Sequence, residues 1–139
     1  MTKETTRTAL GDLMDAFQCG DHERLALRYD DDIDWLFHAP VSLFPFAGAR
    51  RGRNEVLTSL AVLYQSFSVT RHETQVALVD GDRAATIADV HVVQRATGRV
   101  IRSRIASFYR FRAGRVVEYR GFTDSFDSAE QILGYEIDL

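Results

Sequence analysis

Asp89 and His91 stand two residues apart in the run Ile87, Ala88, Asp89, Val90, His91, Val92, Val93, so a strand through this run carries both side chains on one face. An aspartate beside a histidine raises the imidazole pKa and fixes its tautomer, which makes a general acid or base. On the run 100–112 the odd positions Ile101, Ser103, Ile105, Ser107, Tyr109 and Phe111 share one face, and Arg102, Arg104, Arg110 and Arg112 share the other. Ser107 and Tyr109 would supply hydroxyl donors to a neighbouring acid–base pair. His38 closes a short strand-like run beside an apolar loop, where a pocket mouth would lie, and is a further titrating candidate. Each has a plainer reading. Asp89 can form a cross-strand ion pair with an arginine such as Arg104, and His38 can cap its strand by hydrogen bonds.

No pair among His22, His38, His72 and His91 has helical i, i+3 or i, i+4 spacing, and Cys19 is the single cysteine, so no dedicated metal site is expected. Neither GxGxxG nor GxxxxGK[ST] occurs, and no cofactor is expected. The aromatics Trp35, Phe37, Phe44, Phe46, Tyr64, Phe67, Tyr109, Phe111, Tyr119 and Phe122 are mostly core; those that line a pocket would select a flat, apolar, modest-sized molecule. The expected ligand contacts are Trp35, Phe46, Ile105, Tyr109, Tyr119 and Phe122. All but Lys3 of the 17 basic residues are arginine, including Arg50, Arg51 and Arg53 in one loop, yet 20 acidic residues leave a net charge of −3. That balance argues against a nucleic-acid partner and for ion pairs with carboxylates such as Glu55, Glu73 and Glu118. Arg50 or Arg51 at a pocket rim could hold an anionic group, and Asp124 reads as a turn or helix cap.

The elements that must position these residues follow from periodicity. In 5–19, Ala9, Leu10, Leu13, Met14, Ala16 and Phe17 recur at three- and four-residue steps, which predicts a helix ended by Gly20. Asp21 caps a short second helix to residue 29, with Leu25, Leu27 and Tyr29 inward. A strand over 33–38 ends at Pro40, and 39–52 is a loop whose Leu43, Phe44 and Phe46 must cover something. Val56, Leu57, Leu60, Leu63, Tyr64 and Phe67 mark a third helix from Asn54. The runs 69–79, 84–94, 100–111 and 116–122, separated by glycine-bearing turns, form an antiparallel meander. Asp127 to Glu130 has capping-box spacing and introduces a short last helix with Ile132 and Leu133.

The 139 residues, 45% hydrophobic and 11% aromatic, suit one domain, with neither repeats nor a linker long enough to divide them. No run reaches the roughly 18 apolar residues of a membrane span, and the polar N-terminus lacks a signal-peptide core, so a cytoplasmic protein with no membrane partner is expected. Helices first and a long sheet after them is an α+β arrangement, with a pocket between the layers.

The order helix–helix–strand–loop–helix–four strands resembles the nuclear-transport-factor-2-like cone fold of ketosteroid isomerase, limonene epoxide hydrolase and the SnoaL-like polyketide cyclases. The landmarks are Gly20-Asp21, Tyr29 followed by three aspartates, Pro45 to Gly48, Arg51-Gly52-Arg53, and Gly114 to Arg120. The resemblance implies a cone-shaped curved antiparallel sheet covered by three helices of the N-terminal half, with a short C-terminal helix, and back-to-back pairing into a homodimer. Where ketosteroid isomerase has a first-helix tyrosine and a late-strand aspartic acid, this chain has Met14 and Ser107, and its base position falls within 37–39, where His38 is the titratable group. The Arg-x-Asp of limonene epoxide hydrolase aligns with Ile87, Ala88 and Asp89, and its second aspartate with Gly121. This alignment turns Asp89 and His91 inward, whereas the wholly apolar set Ala88, Val90 and Val92 leaves the inward face open on alternation alone. The outer face is expected to carry Val90, Val92, Ala106 and Phe108 with the arginines, a mixture typical of interfaces. The leading expectation is proton transfer on a small hydrophobic molecule by Asp89 and His91, supported by His38 and Ser107. A non-catalytic pocket that binds such a molecule, and a dimeric module whose cone is filled by its own rings, are the alternatives.

Overall fold

A computed structural model describes residues 2–138. Helix α1 (Lys3–Cys19) buries Ala9, Leu10, Leu13 and Ala16 along the expected stripe. Its first turn is capped by the Thr2 side chain, which accepts from the Thr5 N–H, and Gly20 ends it at φ 66°, where a side chain would be strained. Helix α2 (His22–Arg28) is capped by Asp21 as expected and buries Leu25. Leu27, expected inward, is 64% exposed: in so short a helix only one residue per turn meets α1, and Leu25 takes that place.

Strand β1 (Tyr29–His38) is followed by the apolar loop, whose last residues form a short strand β2 (Gly48–Arg51) paired antiparallel to β1. Helix α3 (Arg53–Ser66) then leads into four long strands, β3 (Phe67–Asp80), β4 (Arg83–Gln94), β5 (Val100–Arg112) and β6 (Arg115–Thr123), and into helix α4 (Ser125–Leu133). The last helix starts earlier than the capping-box spacing suggests. Asp124 is its cap, accepting from the Asp127 N–H at 3.1 Å, and Asp127 lies inside the helix, where it accepts from Gln131.

The sheet order is β2-β1-β6-β5-β4-β3. Strands β3 to β6 make the antiparallel meander, and β1 joins β6 in parallel, so the sheet as a whole is mixed. Register breaks between Val69 and Arg71 and between Thr74 and Val76 interrupt β3 where it pairs with β4; such bulges increase bend and twist. The curved sheet is open, and α1 and α3 pack into its concave side while α4 packs on β5. The core cluster lies there, with Ala9, Leu13, Leu25, Ile33, Val56, Phe111 and Val116 all almost fully buried. No helix among the described residues is long and apolar enough to cross a membrane.

Candidate functional site

The meander decides which side chains enter the concave side. β4 and β5 pair so that Thr86 faces Ser107, Ala88 faces Ile105 and Val90 faces Ser103. Residues directly opposite in an antiparallel ladder share a face, so the inward odd positions of β5 stand beside the even positions of β4. The wall of the cavity confirms it: Thr86, Ala88, Val90 and Val92 line it together with Ile101, Ser103, Ile105, Ser107 and Tyr109. Asp89 and His91 therefore point away from the cavity, opposite Arg104 and Arg102. The expectation that they project into it is corrected, and the reason is electrostatic. An inward Asp89 would have to be desolvated against apolar rings, whereas outside it meets water and cations.

On that outer face the two groups are near each other, His91 Nε2 lying 3.4 Å from Asp89 Oδ1. The Asp89 carboxylate also accepts from Arg71 Nε at 2.9 Å, and Arg71 reaches Glu73 as well. The plainer reading of Asp89 as an ion-paired residue has its partner on β3 rather than in Arg104. His38 is exposed and stacks on Phe122, with ring centroids 4.4 Å apart and planes 10° off parallel. Phe122, expected as a ligand contact, lies with it on the convex face, 41% exposed and edge-on to Phe108. Neither lines the cavity; inward pointing at the end of β1 falls to Phe37 and then Ala39. Val90 and Val92, expected outside, are inside, and the convex apolar patch consists of Leu78, Ile87, Ala106, Phe108 and Phe122.

Arg50 donates to Ser59 Oγ at 2.6 Å and to the Pro45 and Ala49 carbonyls, which pins the loop. Arg51 pairs with Asp34, as does Arg120. Neither Arg50 nor Arg51 is in the cavity wall. The Arg120 guanidinium, with Arg51 beyond it, holds the Asp34 carboxyl below the usual carboxylate range. Among the described residues no group of three or more His, Cys, Asp or Glu is placed to hold a metal ion.

The cavity has a volume of about 130 Å³. Of the expected site residues, Ser107 and the ligand contacts Trp35, Phe46, Ile105, Tyr109 and Tyr119 line it. The apolar loop closes it, Phe46 packing against Phe37 and Phe67 at 6.1 and 6.0 Å between centroids. At the β6 side, Tyr119 stacks on Trp35 at 5.5 Å and hydrogen-bonds Ser107 Oγ at 3.0 Å through its hydroxyl. Gly121 makes this possible, because a Cβ there would sit 2.4 Å from the Tyr119 Oη and 2.6 Å from Phe37. Burial pushes the Tyr119 phenol up to about 12, against the opposing pull of its Ser107 bond, and burial together with nearby Tyr119 raises Tyr109 further. Both phenols are protonated hydrogen-bonding groups at neutral pH. Met14, at the position of the isomerase tyrosine, is in the wall as a thioether.

The wall also holds residues that sequence reasoning did not assign to a site: Thr86, Ser103, Ser128, Thr123 and His72. Ser103 and Ser128 bring their hydroxyls to 3.4 Å, joining β5 to α4. His72 packs edge-on against Phe17 at 5.4 Å, and burial lowers its pKa, which favours the neutral imidazole. The bulges on either side of His72 hide its orientation from simple alternation. The signal that could have found the inward face is the absence of any charged residue in Ala84, Thr86, Ala88, Val90 and Val92. No Asp, Glu, Lys or Arg occurs in the wall.

Among solved structures the chain is similar to a provisionally assigned isomerase from Rhodopseudomonas palustris, at 32% identity and a TM-score of 0.86, covering 91% of this chain and 96% of that one. It is similar in fold to an NTF2-like protein from Burkholderia xenovorans, with 18% identity, a TM-score of 0.81 and coverage of 95% and 98%. An LEH-like epoxide hydrolase from M. tuberculosis shares the fold at 17% identity and a TM-score of 0.74, over 96% of this chain and 92% of that one. No curated protein sequence matches it. Residues 10–119 match the SnoaL-like domain, and with the cone and its cavity in place the chain belongs to the SnoaL-like family of the NTF2-like fold.

Proposed function

We propose that this protein binds a small, uncharged, largely apolar molecule in the cone. The observation that carries the reading is the composition of the wall: aromatic and aliphatic side chains, a few hydroxyls and one imidazole, with no ionised side chain. A cavity of about 130 Å³ is comparable to the apolar site of roughly 150 Å³ that accepts benzene in another protein. An anionic or cationic ligand would enter without a counter-charge and lose its hydration. Calorimetric titration of the full chain with toluene, acetophenone and benzoate tests this. Toluene and acetophenone are expected to bind and benzoate to be rejected; failure of both neutral probes, or equal affinity for benzoate, overturns it.

A second reading, proton transfer on the bound molecule, has its support in His72, the one wall residue whose ordinary pKa lies near neutrality. Asp89, His91 and His38 have no part in it, since none reaches the cavity, while Ser107 with Tyr119 would stabilise developing charge on an oxygen. Solvent deuterium entering the methyl group of acetophenone, and lost in His72→Phe, would support it; equal exchange in both proteins removes it.

The convex patch of Leu78, Ile87, Ala106, Phe108 and Phe122, bordered by Arg110, Glu118 and Arg120, supports a homodimer formed by two such faces. Sedimentation should give a dimer that Phe108→Asp splits, and a wild-type monomer would remove this part. The same reading keeps the chain in a reducing cytoplasm, consistent with its single exposed cysteine, and away from nucleic acid, on its net charge of −3.

A further inference from the structure

We infer that the molecule held by this cavity is an uncharged hydroxyaryl carbonyl compound or a close analogue, a single ring with a hydrogen-bond acceptor at one end and a donor at the other. The inference rests on the binding reading above and specifies its ligand class. Three neighbouring rows of the sheet register make the centre of the wall, with Tyr109 and Tyr119 beyond them at one end and Val92 and Ile101 at the other. Thr86, Ser107 and Gly121 lie side by side across β4, β5 and β6, with the Tyr119 hydroxyl bonded to Ser107. His72, Val90 and Ser103 lie side by side across β3, β4 and β5, with Ser128 against Ser103. The middle row is Ala88, Ile105 and Thr123, and the Thr123 hydroxyl is already spent on the Arg104 carbonyl at 3.3 Å. These three rows are thus polar, apolar, polar along the strands.

Ser103 and Ser107 are four residues apart on one face, a span of about 13 Å at roughly 3.3 Å per residue. Between the Ser103 and Ser107 rows, a hydrogen bond of about 2.8 Å at each end leaves roughly 7 Å along the strands for the ligand, about the length of one six-membered ring substituted at opposite carbons, with His72 lining the Ser103 end from two strands across.

The two ends differ in what they want. Ser107 and Tyr119 share one hydrogen bond, and the Tyr109 and Thr86 hydroxyls lie beside Ser107, so this end offers a ligand oxygen a cluster of hydroxyl donors. The other end has the Ser103 and Ser128 hydroxyls and, two strands across in the same row, the neutral imidazole of His72. α1 presents Phe17 and β4 presents Val90 to His72, and no charged residue faces it from the cavity wall, so burial outweighs the hydrogen bond His72 makes to its own backbone and favours the neutral imidazole. Its unprotonated nitrogen accepts from an O–H or N–H of the ligand. A carbonyl at the Tyr119 end and a hydroxyl at the His72 end satisfy both.

Titration of the full chain at neutral pH with para-hydroxyacetophenone, acetophenone and para-ethylphenol tests the assignment. One neutral hydrogen bond is expected to be worth roughly three- to tenfold in affinity. The doubly substituted ring should exceed each singly substituted one by that factor. His72→Phe should abolish its advantage over acetophenone and keep the advantage over para-ethylphenol; the double variant Ser107→Ala, Tyr119→Phe should do the reverse. Ser107→Ala alone and Tyr119→Phe alone should each reduce the advantage over para-ethylphenol without abolishing it, since one hydroxyl remains in each. Equal affinity for the three probes, or advantages indifferent to both substitutions, overturns the inference while leaving a binding pocket in place. Rejection of all three would fall on the binding reading itself.

Discussion

Along β4 and β5 the two faces of one sheet alternate residue by residue and obey opposite rules. Inside, Thr86, Ala88 and Val90 meet Ser107, Ile105 and Ser103; outside, Ile87, Asp89 and His91 meet Ala106, Arg104 and Arg102. The inner face tolerates hydroxyls because each can find a partner in the wall, and among the described residues no buried side-chain nitrogen or oxygen lacks one. The outer face carries the ionised groups, where solvent and counter-charges offset the cost of charge. The difference teaches that two titratable residues sharing one strand face do not mark a site by themselves. In this chain the catalytic-looking pair and the cavity lie on opposite sides of one strand.

The sharpest way to break that contrast is to truncate one ring on each face of β5. Phe111 is 1% exposed within the core cluster, and Phe111→Ala should cost about 3–5 kcal/mol in denaturant unfolding. Phe108 is 52% exposed, and Phe108→Ala should stay within about 0.5 kcal/mol at concentrations where the protein is monomeric. Similar losses at the two positions would mean that the convex face is covered in solution even then.

Gly121→Ala is the next largest. The added methyl would fall 2.4 Å from the Tyr119 hydroxyl and 2.6 Å from Phe37, so both rings must move into the cavity or the strand must shift. A cost of about 1–3 kcal/mol is expected, together with weaker binding of acetophenone. Unchanged stability and affinity would show that Tyr119 is not held over the β6 backbone.

How much of this was legible in the sequence depended on whether a local pattern fixed the answer. The Leu10, Leu13 and Phe17 stripe, the Asp21 cap and the turns between the long strands predicted their elements because each is a short-range signal. The side of β4 that faces inward was not local. It depends on pairing with β5, where a shift of one residue exchanges the faces, and the aligned position of Asp89 pointed the wrong way. The uncharged set Thr86, Ala88, Val90 and Val92 held the better clue, since burial penalises charge more than it rewards any single apolar contact. His72 was illegible for a different reason: bulges on both sides of it break the alternation that would have turned it inward.

Acid titration separates the faces by pH window. Burial lowers the folded-state pKa of His72 below its ordinary 6.5, so the unfolded chain takes up a proton first as pH falls. The stability this residue supports is therefore present above pH 6.5 and is lost progressively below it. Asp34 on the outer face is also lowered, from 3.8, by Arg120 and Arg51, so its contribution persists until pH falls through that lower range. His72→Gln should flatten the unfolding midpoint between neutrality and mild acid, and Asp34→Asn should leave that window unchanged. A wild-type midpoint already flat there would place the imidazole in water rather than in the wall.

The smallest effect belongs to the pair that looks most like machinery. Asp89 shares Arg71 with Glu73, and Arg71 keeps 44% of its side-chain surface exposed. An ion pair so well solvated is worth about 0–1 kcal/mol. Asp89→Asn retains the shape and one accepting oxygen, so the unfolding free energy should move by less than about 0.5 kcal/mol, a usual range for surface substitutions. Acetophenone affinity should not move at all, because the carboxylate is separated from the cavity by the β4 backbone. A binding loss of tenfold in this variant would mean that the outer face communicates with the inner one, and the division of labour between the two faces would have to be abandoned.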